Sequence, residues 1–255
     1  MKKSLNIALV IILLCIASSF FAHKRPLSMA EAPTVTQQPM LNLLVQKKQG
    51  QTPSEQKRPK FIEFGLYEQD GDEENGPEPI QWIVLETTED KTLLISRYIL
   101  DYQRFNGTGS SAPSTTWENS FLRNWLNNTF LDTAFTKKEQ KQIITSEITT
   151  EKEDTVTKDK VFLLSYDEAW QYFKKSKDRQ ACGTEYVKAT KIYIAKNGMS
   201  SWWLRTPSEV MFSSASMYKY VVNPDGDHKN SPRVNEKDGV RPAMWVDNSL
   251  LSIND

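Results

Sequence analysis

Seven side chains carry most of the chemistry that this sequence offers: Trp117, Glu118, Arg123, Trp202, Trp203, Arg205 and Arg241. A carboxylate and three guanidiniums can form charge-assisted, bidentate hydrogen bonds, with one another or with a ligand. Three indoles add flat apolar faces, each with one N–H donor, on which a sugar ring or a peptide can stack. These seven are the candidate ligand-binding residues, and none is assigned a catalytic role. Trp202-Trp203-Leu204-Arg205-Thr206-Pro207 and Gly239-Val240-Arg241-Pro242-Ala243-Met244-Trp245-Val246 read as two short β-strands. Side chains alternate along a strand, so Trp202 and Trp203 are expected on opposite faces of a sheet. On a sheet covered from one side, at most one of them is core, and the other is exposed or covered by a loop. Arginines inside apolar strands need partners. The preferred reading is a structural ion pair of Arg205 or Arg241 with Glu118. The alternative has them line a groove with Trp202 and Trp117.

Other reaction types find little support. The chain has two histidines, and His23 falls in the N-terminal apolar region. His228 alone remains, in a polar loop, so one chain cannot supply a multi-histidine zinc site. A Ser-His-Asp triad would rest on that loop residue. Cys182 is the one cysteine beyond Cys15 and reads as a small, partly buried apolar residue. Gly107-Thr108-Gly109 lacks the strand-to-helix setting of a phosphate loop. No cofactor is implied. Calcium is the cation that the acidic loops Asp70–Asn75 and Asp225–Asp227 would suit, but neither has EF-hand spacing, and solvated loop charge is the preferred reading.

The elements around these residues change character along the chain. Phe61–Tyr67, Ile80–Leu85 and Thr92–Ser96 read as strands, the last two at hairpin spacing. The middle turns helical. Thr115-Thr116-Trp117-Glu118, Thr136–Glu139 and Ser165–Glu168 each fit a capping box. The first is expected to open a helix over Thr116–Asn128 with Trp117, Phe121 and Trp125, and Leu122 and Leu126 beside them, as one buried stripe. The second should open a helix through Ile144, and the third follows a strand Val161–Leu164. The last third returns to strands at Ser201–Arg205, Ala215–Val222 and Gly239–Val246, with a turn at Asn223-Pro224-Asp225-Gly226. Strands and helices are segregated, which favours an α+β fold with an antiparallel sheet. The two Arg-Pro strands are expected in one central antiparallel sheet, with Pro207 and Pro242 at strand ends, bulges or a free edge.

Composition and the N-terminus bound the setting. Formal net charge is zero, which points away from nucleic acid. Aromatics make up 11% of the chain, enough for an aromatic-rich core or a stacking surface. Lys2 and Lys3 precede an uncharged apolar run from Leu5 to Ala22, so residues 1–30 read as a signal peptide or an N-terminal membrane anchor. Residues 31–60, with four prolines and six glutamines, read as a polar flexible linker, and 61–255 as a single α+β domain. The expected location is extracytoplasmic, secreted or anchored, with the membrane met only through the N-terminal segment.

Six motifs in order, Gln81–Leu85, Leu94–Ser96, Thr116–Ser120 with Leu122–Asn127, Val161–Ser165, Trp202–Pro207 and Gly239–Ala243, resemble the bacterial family of domain of unknown function 6273. The resemblance runs from about Phe61 to Val246 and implies no established activity. The tail is also similar to the C-type-lectin-like fold of formylglycine-generating enzymes. Those enzymes use a pair of active-site cysteines, and the single Cys182 does not supply one. The expected function is therefore an exported or surface-displayed binding module for an envelope or extracellular ligand, a carbohydrate or a peptide. Its rivals are an envelope enzyme using carboxylates in a glycosidase-like way, and a purely structural surface protein.

Overall fold

Two stretches of chain cross between sheets side by side, and the fold is arranged around that crossing. A computed structural model describes residues 61–107, 115–209 and 217–253. The N-terminal segment, the linker, most of the Asn106–Ser114 loop and the start of the Ala215–Val222 strand lie outside the described residues.

Strands β1 (Phe61–Tyr67), β2 (Glu78–Thr87) and β3 (Lys91–Ser96) form consecutive antiparallel hairpins. A bulge in β1 falls at Gly65, whose φ of 71° favours glycine. A Cβ there would meet the Phe135 ring at 2.5 Å, so the missing side chain lets β1 lie close under the helical layer. Beside it, the Trp82 indole donates to the Phe64 carbonyl at 2.7 Å. The chain then leaves this sheet to form β4 (Asp101–Arg104).

The helical middle follows. α1 (Phe121–Trp125) runs through a π turn at Leu126–Phe130 into α2 (Leu131–Ala134). The N-cap is Ser120, whose hydroxyl accepts from the Arg123 N–H, and not the Thr115–Glu118 box. Trp117 is buried but precedes the helix, and Phe121 is 47% exposed, so of the expected stripe Leu122, Trp125 and Leu126 are the buried helical members. Phe130, one turn on, completes that face. The π turn begins where Asn127 sends its side-chain amide to the carbonyls of Arg123 and Val161, and such side-chain competition for a helix carbonyl widens a turn.

The Thr136–Glu139 box is present, with Glu139 accepting from the Thr136 N–H at 2.7 Å, but it opens only a 3-10 turn at Glu139–Lys141. Strand β5 (Ile143–Ile144) comes next. An unforeseen hairpin follows, β6 (Ser146–Thr150) with β7 (Thr155–Asp159). Val161–Leu164 is buried but makes only a bridge, Phe162 to Ala243. The Ser165–Glu168 box opens α3 (Tyr166–Tyr172), as expected. Two short helices, α4 (Ser176–Arg179) and α5 (Glu185–Ala189), lead to β8 (Trp202–Pro207), β9 (Lys219–Val222), β10 (Lys237–Val240) and β11 (Ala243–Asp247).

The result is α+β, mostly antiparallel. One sheet has the order β1-β2-β3-β11-β5, a second β4-β10-β8-β9, and the β6–β7 hairpin stands apart. The two Arg-Pro strands therefore do not share one antiparallel sheet. β10 pairs parallel with β8 through Gly239 and Trp202, whereas β11 joins the other sheet. Pro242 sits at the crossing, where its missing N–H ends one ladder, and Pro207 closes β8. The β3-to-β4 connection crosses beside it: Ser96 N–H donates to Pro242 O, and Leu100 N–H to Val240 O, both at 2.9 Å.

Trp125 is 9% exposed within an apolar face, so Trp125→Ala should lower the unfolding free energy by about 3–5 kcal/mol. Phe121→Ala, four residues earlier but exposed, should change it by less than about 0.5 kcal/mol. Denaturant melts of the two variants check this, and equal losses would refute the assignment of faces.

Candidate functional site

The positions of the motif residues determine what remains for a ligand. Trp117 is fully buried. Its backbone N–H donates to Glu153 at 2.8 Å and its indole N–H to Asp159 at 3.0 Å. Asp159 also accepts from Arg123 Nε at 2.7 Å and from the Thr157 hydroxyl at 2.6 Å. Glu153 in turn pairs with the buried ammonium of Lys219. Burial pulls the Lys219 pKa down, and the Glu153 carboxylate opposes that. The motif thus ties the β6–β7 hairpin to the helix and to β9. Glu118 is exposed, and its carbonyl, at 3.0 Å from Arg123 Nη1, is the part that serves this network.

Trp202 and Trp203 are both fully buried, because β8 is covered on both faces. Trp202 donates to the Arg179 carbonyl, and Trp203 to the Gln103 carbonyl while packing edge-on against Phe105. Arg205 does not reach Glu118. Its partner is Glu168, held bidentately at 2.5 and 2.8 Å, and it also donates to the carbonyls of Leu163 and Thr149, each at 2.8 Å. Glu168 is the capping-box residue of α3, so one carboxylate serves both the helix end and the strand. Among the described residues Arg241 pairs with no carboxylate. Its Nε donates to Ser96 O at 2.8 Å, at the sheet crossing, and its guanidinium lies 5.1 Å from the Trp202 ring centre and 5.2 Å from that of Phe173. Burial pushes the Arg241 pKa down to about 9, which leaves it charged at neutral pH. The sequence-predicted set therefore does not converge on one surface.

A different set does converge. Tyr166 and Trp170 of α3 stack at 4.3 Å, Tyr220 of β9 lies 5.1 Å beyond Tyr166, and Arg179 and Lys152 lie over the outer Trp170 and Tyr220 rings. His228 sits edge-on to all three rings at 4.9–5.7 Å. The loop histidine of the sequence is thus a packing residue that fixes the Asn223–Asn230 loop to the stack. The Asn223–Gly226 turn closes as expected, with Gly226 N–H donating to Asn223 O at 2.8 Å. Gly226 has a φ of 83° and abuts Ser176 so closely that a Cβ would collide with its carbonyl. Arg179 Nε holds the Gly226 carbonyl at 2.7 Å.

This fixed loop forms one wall of an open groove of about 460 Å³, and the 193–197 segment forms the other. Tyr193, Asn197, Asn223, Asp225, Lys229 and Asn230 line it, and Asn197 bridges the walls by donating to Pro224 O at 2.8 Å. Tyr193 is 71% exposed, whereas Asn223 is 5% exposed with its Oδ1 unpartnered. Lys229 lies 3.2 Å from Asp227 and 3.7 Å from Asp225. The His228 backbone N–H, and then Lys229, keep the Asp227 carboxyl below its usual range. No alternation or motif marked Tyr193. The signal available was Ile192-Tyr193-Ile194, a short β-branched and aromatic run that belongs to none of the expected strands.

Of the two acidic loops, the first brings Asp70 near Glu68 and Glu78, with oxygens within 4.8 Å of one another. Each already accepts loop N–H groups, Glu68 from Gly71, Asp70 from Asp72 and Glu78 from Gln69. Cys182 is half-buried, as expected of a small, partly buried residue.

Fold and site together define a two-sheet α+β domain with a buried Trp-Arg framework and a loop-built groove. Residues 89–248 match the family model described as Domain of unknown function (DUF6273), and the chain belongs to that family. The matched stretch begins after β2, so the Gln81–Leu85 motif lies outside it. No curated protein and no solved structure matched the chain.

One buried carboxyl yields a pH prediction. Asp238 on β10 accepts from Ser201 at 2.7 Å, yet burial raises its pKa to about 6. Between the ordinary carboxyl range and pH 6 the folded chain binds the extra proton, so this residue's contribution to stability falls as pH rises through that window. Asp238→Asn should remove that slope, so its stability gain over the parent should grow from pH 4 to pH 6 and then level off. Unfolding free energies at several pH values test this, and a pH-independent difference would contradict it.

Proposed function

We propose that the protein is a binding module working outside the cytoplasmic membrane, exported or held there by its N-terminal segment. The ligand, a carbohydrate or a peptide, seats in the groove between the 193–197 segment and the Asn223–Asn230 loop. One observation carries this reading: the groove joins an exposed aromatic ring to three amides, two of them on a loop that is fixed before any ligand arrives. Acid–base hydrolysis would want one carboxyl with a raised pKa facing a second, ionised one. Here Asp225 and the neighbouring Asp227 share Lys229, and Asp227 is held ionised, an arrangement suited to holding a ligand. A C-type-lectin-like fold is the finer reading of the architecture, supported by the Gly239 strand that pairs beside Trp202. The extracytoplasmic location rests on the basic start and the apolar Leu5–Ala22 run.

Fractionating cells that express the full-length chain, then testing the recovered protein on a panel of glycans, cell-wall fragments and peptides, checks both parts. The expected outcome is protein in the membrane or extracytoplasmic fraction that retains at least one panel member. A cytoplasmic pool, or protein that binds nothing on the panel, would count against the proposal.

A further inference from the structure

We infer that this groove takes a neutral saccharide unit, with the Tyr193 ring as its stacking face and the Asn223 amide as its buried polar contact. The inference rests on the binding-module reading above and specifies its ligand. Asn223 is the most informative residue. Its main chain is fully used by the turn, the N–H donating to Asp227 O at 2.7 Å and the carbonyl accepting from Gly226. Asn223 lines the groove and is 5% exposed as a residue; its buried Oδ1 has no partner, and the open edge of its amide is the Nδ2 side. A desolvated acceptor left unpaired costs free energy, so a side chain the turn does not need is kept there at a loss unless something else uses it. A sugar hydroxyl is both donor and acceptor and can meet the amide in either orientation.

Tyr193 shows the complementary pattern. It is 71% exposed beside Ile194, 42% exposed, so the fold gains little from burying either. A free phenol ring suits the C–H face of a pyranose, and Asn197 and Asn230 add amide donors and acceptors around it.

The charges around the groove balance, Lys196 and Lys229 against Asp225 and Asp227, and Lys229 is already shared by those two carboxylates, a setting that favours a neutral ligand over an anionic one. A peptide added as a strand would need a free sheet edge. The outer side of β9 is taken by the 232–234 segment, where Lys219 N–H donates to Pro232 O at 3.3 Å and Val234 N–H to Met217 O at 3.0 Å.

The test is calorimetric titration of the full chain with neutral oligomers of glucose, mannose, galactose and N-acetylglucosamine, alongside an anionic oligosaccharide and a peptide. The parent should bind at least one neutral oligomer. Tyr193→Ala and Asn223→Ala should each weaken it at least tenfold. Asn223→Ala should melt at the parent's temperature or above, because no internal hydrogen bond is lost. Phe121→Ala, on another surface, should bind as the parent does. A neutral oligomer bound equally by parent, Tyr193→Ala and Asn223→Ala would overturn the inference and leave the binding-module reading standing. Binding of the anionic oligosaccharide or the peptide alone would overturn the ligand class. A lower melting temperature for Asn223→Ala would make that residue structural and overturn its assigned role. Binding of no probe would remove the reading and the inference together.

Discussion

The Arg205 guanidinium is the constraint on which the rest of this structure depends. It is 1% exposed, and its donors go to Glu168, Leu163 and Thr149. Those three residues belong to α3, the buried 161–164 segment and β6. One side chain therefore fixes the mutual positions of three segments and its own strand, β8. A buried pair of this kind is not by itself a source of net stability, since desolvation offsets much of the attraction. Losing one partner is another matter, because the remaining carboxylate and two carbonyls would be stranded. Such an interaction specifies one arrangement over its competitors.

What it specifies reaches the groove in a few steps. Thr206, next to Arg205, accepts the Tyr166 N–H at 2.9 Å, so the first residue of α3 is set from both sides. Tyr166 and Trp170 then pack His228, and His228 anchors the loop that carries Asn223, Asp225 and Lys229. The division of labour is physical. The motif tryptophans, Arg205 and Arg241 are buried and Arg123 is half-buried, and together they frame the domain, whereas the residues free to meet a ligand are on short loops at the ends of strands.

Local chemistry was legible in the sequence, and long-range partnership was not. The Ser165–Glu168 box, the β2–β3 hairpin, the Asn223 turn and the α+β class all follow from neighbours within a few residues. Glu168 was readable as a cap but not as the partner of Arg205, 37 residues away. Thr115–Glu118 matched the capping pattern, yet Ser120 caps the helix because Trp117 is drawn into the core by Glu153 and Asp159. Alternation put Trp202 and Trp203 on opposite faces, and only the three-dimensional arrangement reveals that both faces are covered. The β6–β7 hairpin had a period-2 signal at Ile148, Thr150, Thr157 and Asp159, hidden by the polar identity of its inward residues. Asn223 reads as a turn residue in any sequence, and its unpartnered oxygen is a property of packing alone.

The central claim, that the Arg205–Glu168 clamp holds the framework together, is tested most directly by a double-mutant cycle. Arg205→Met, Glu168→Gln and the double variant would be compared with the parent by equilibrium unfolding. The account predicts a coupling of about 2 kcal/mol or more, with the double variant losing clearly less than the sum of the single losses. Losses that add to within about 0.5 kcal/mol would contradict it.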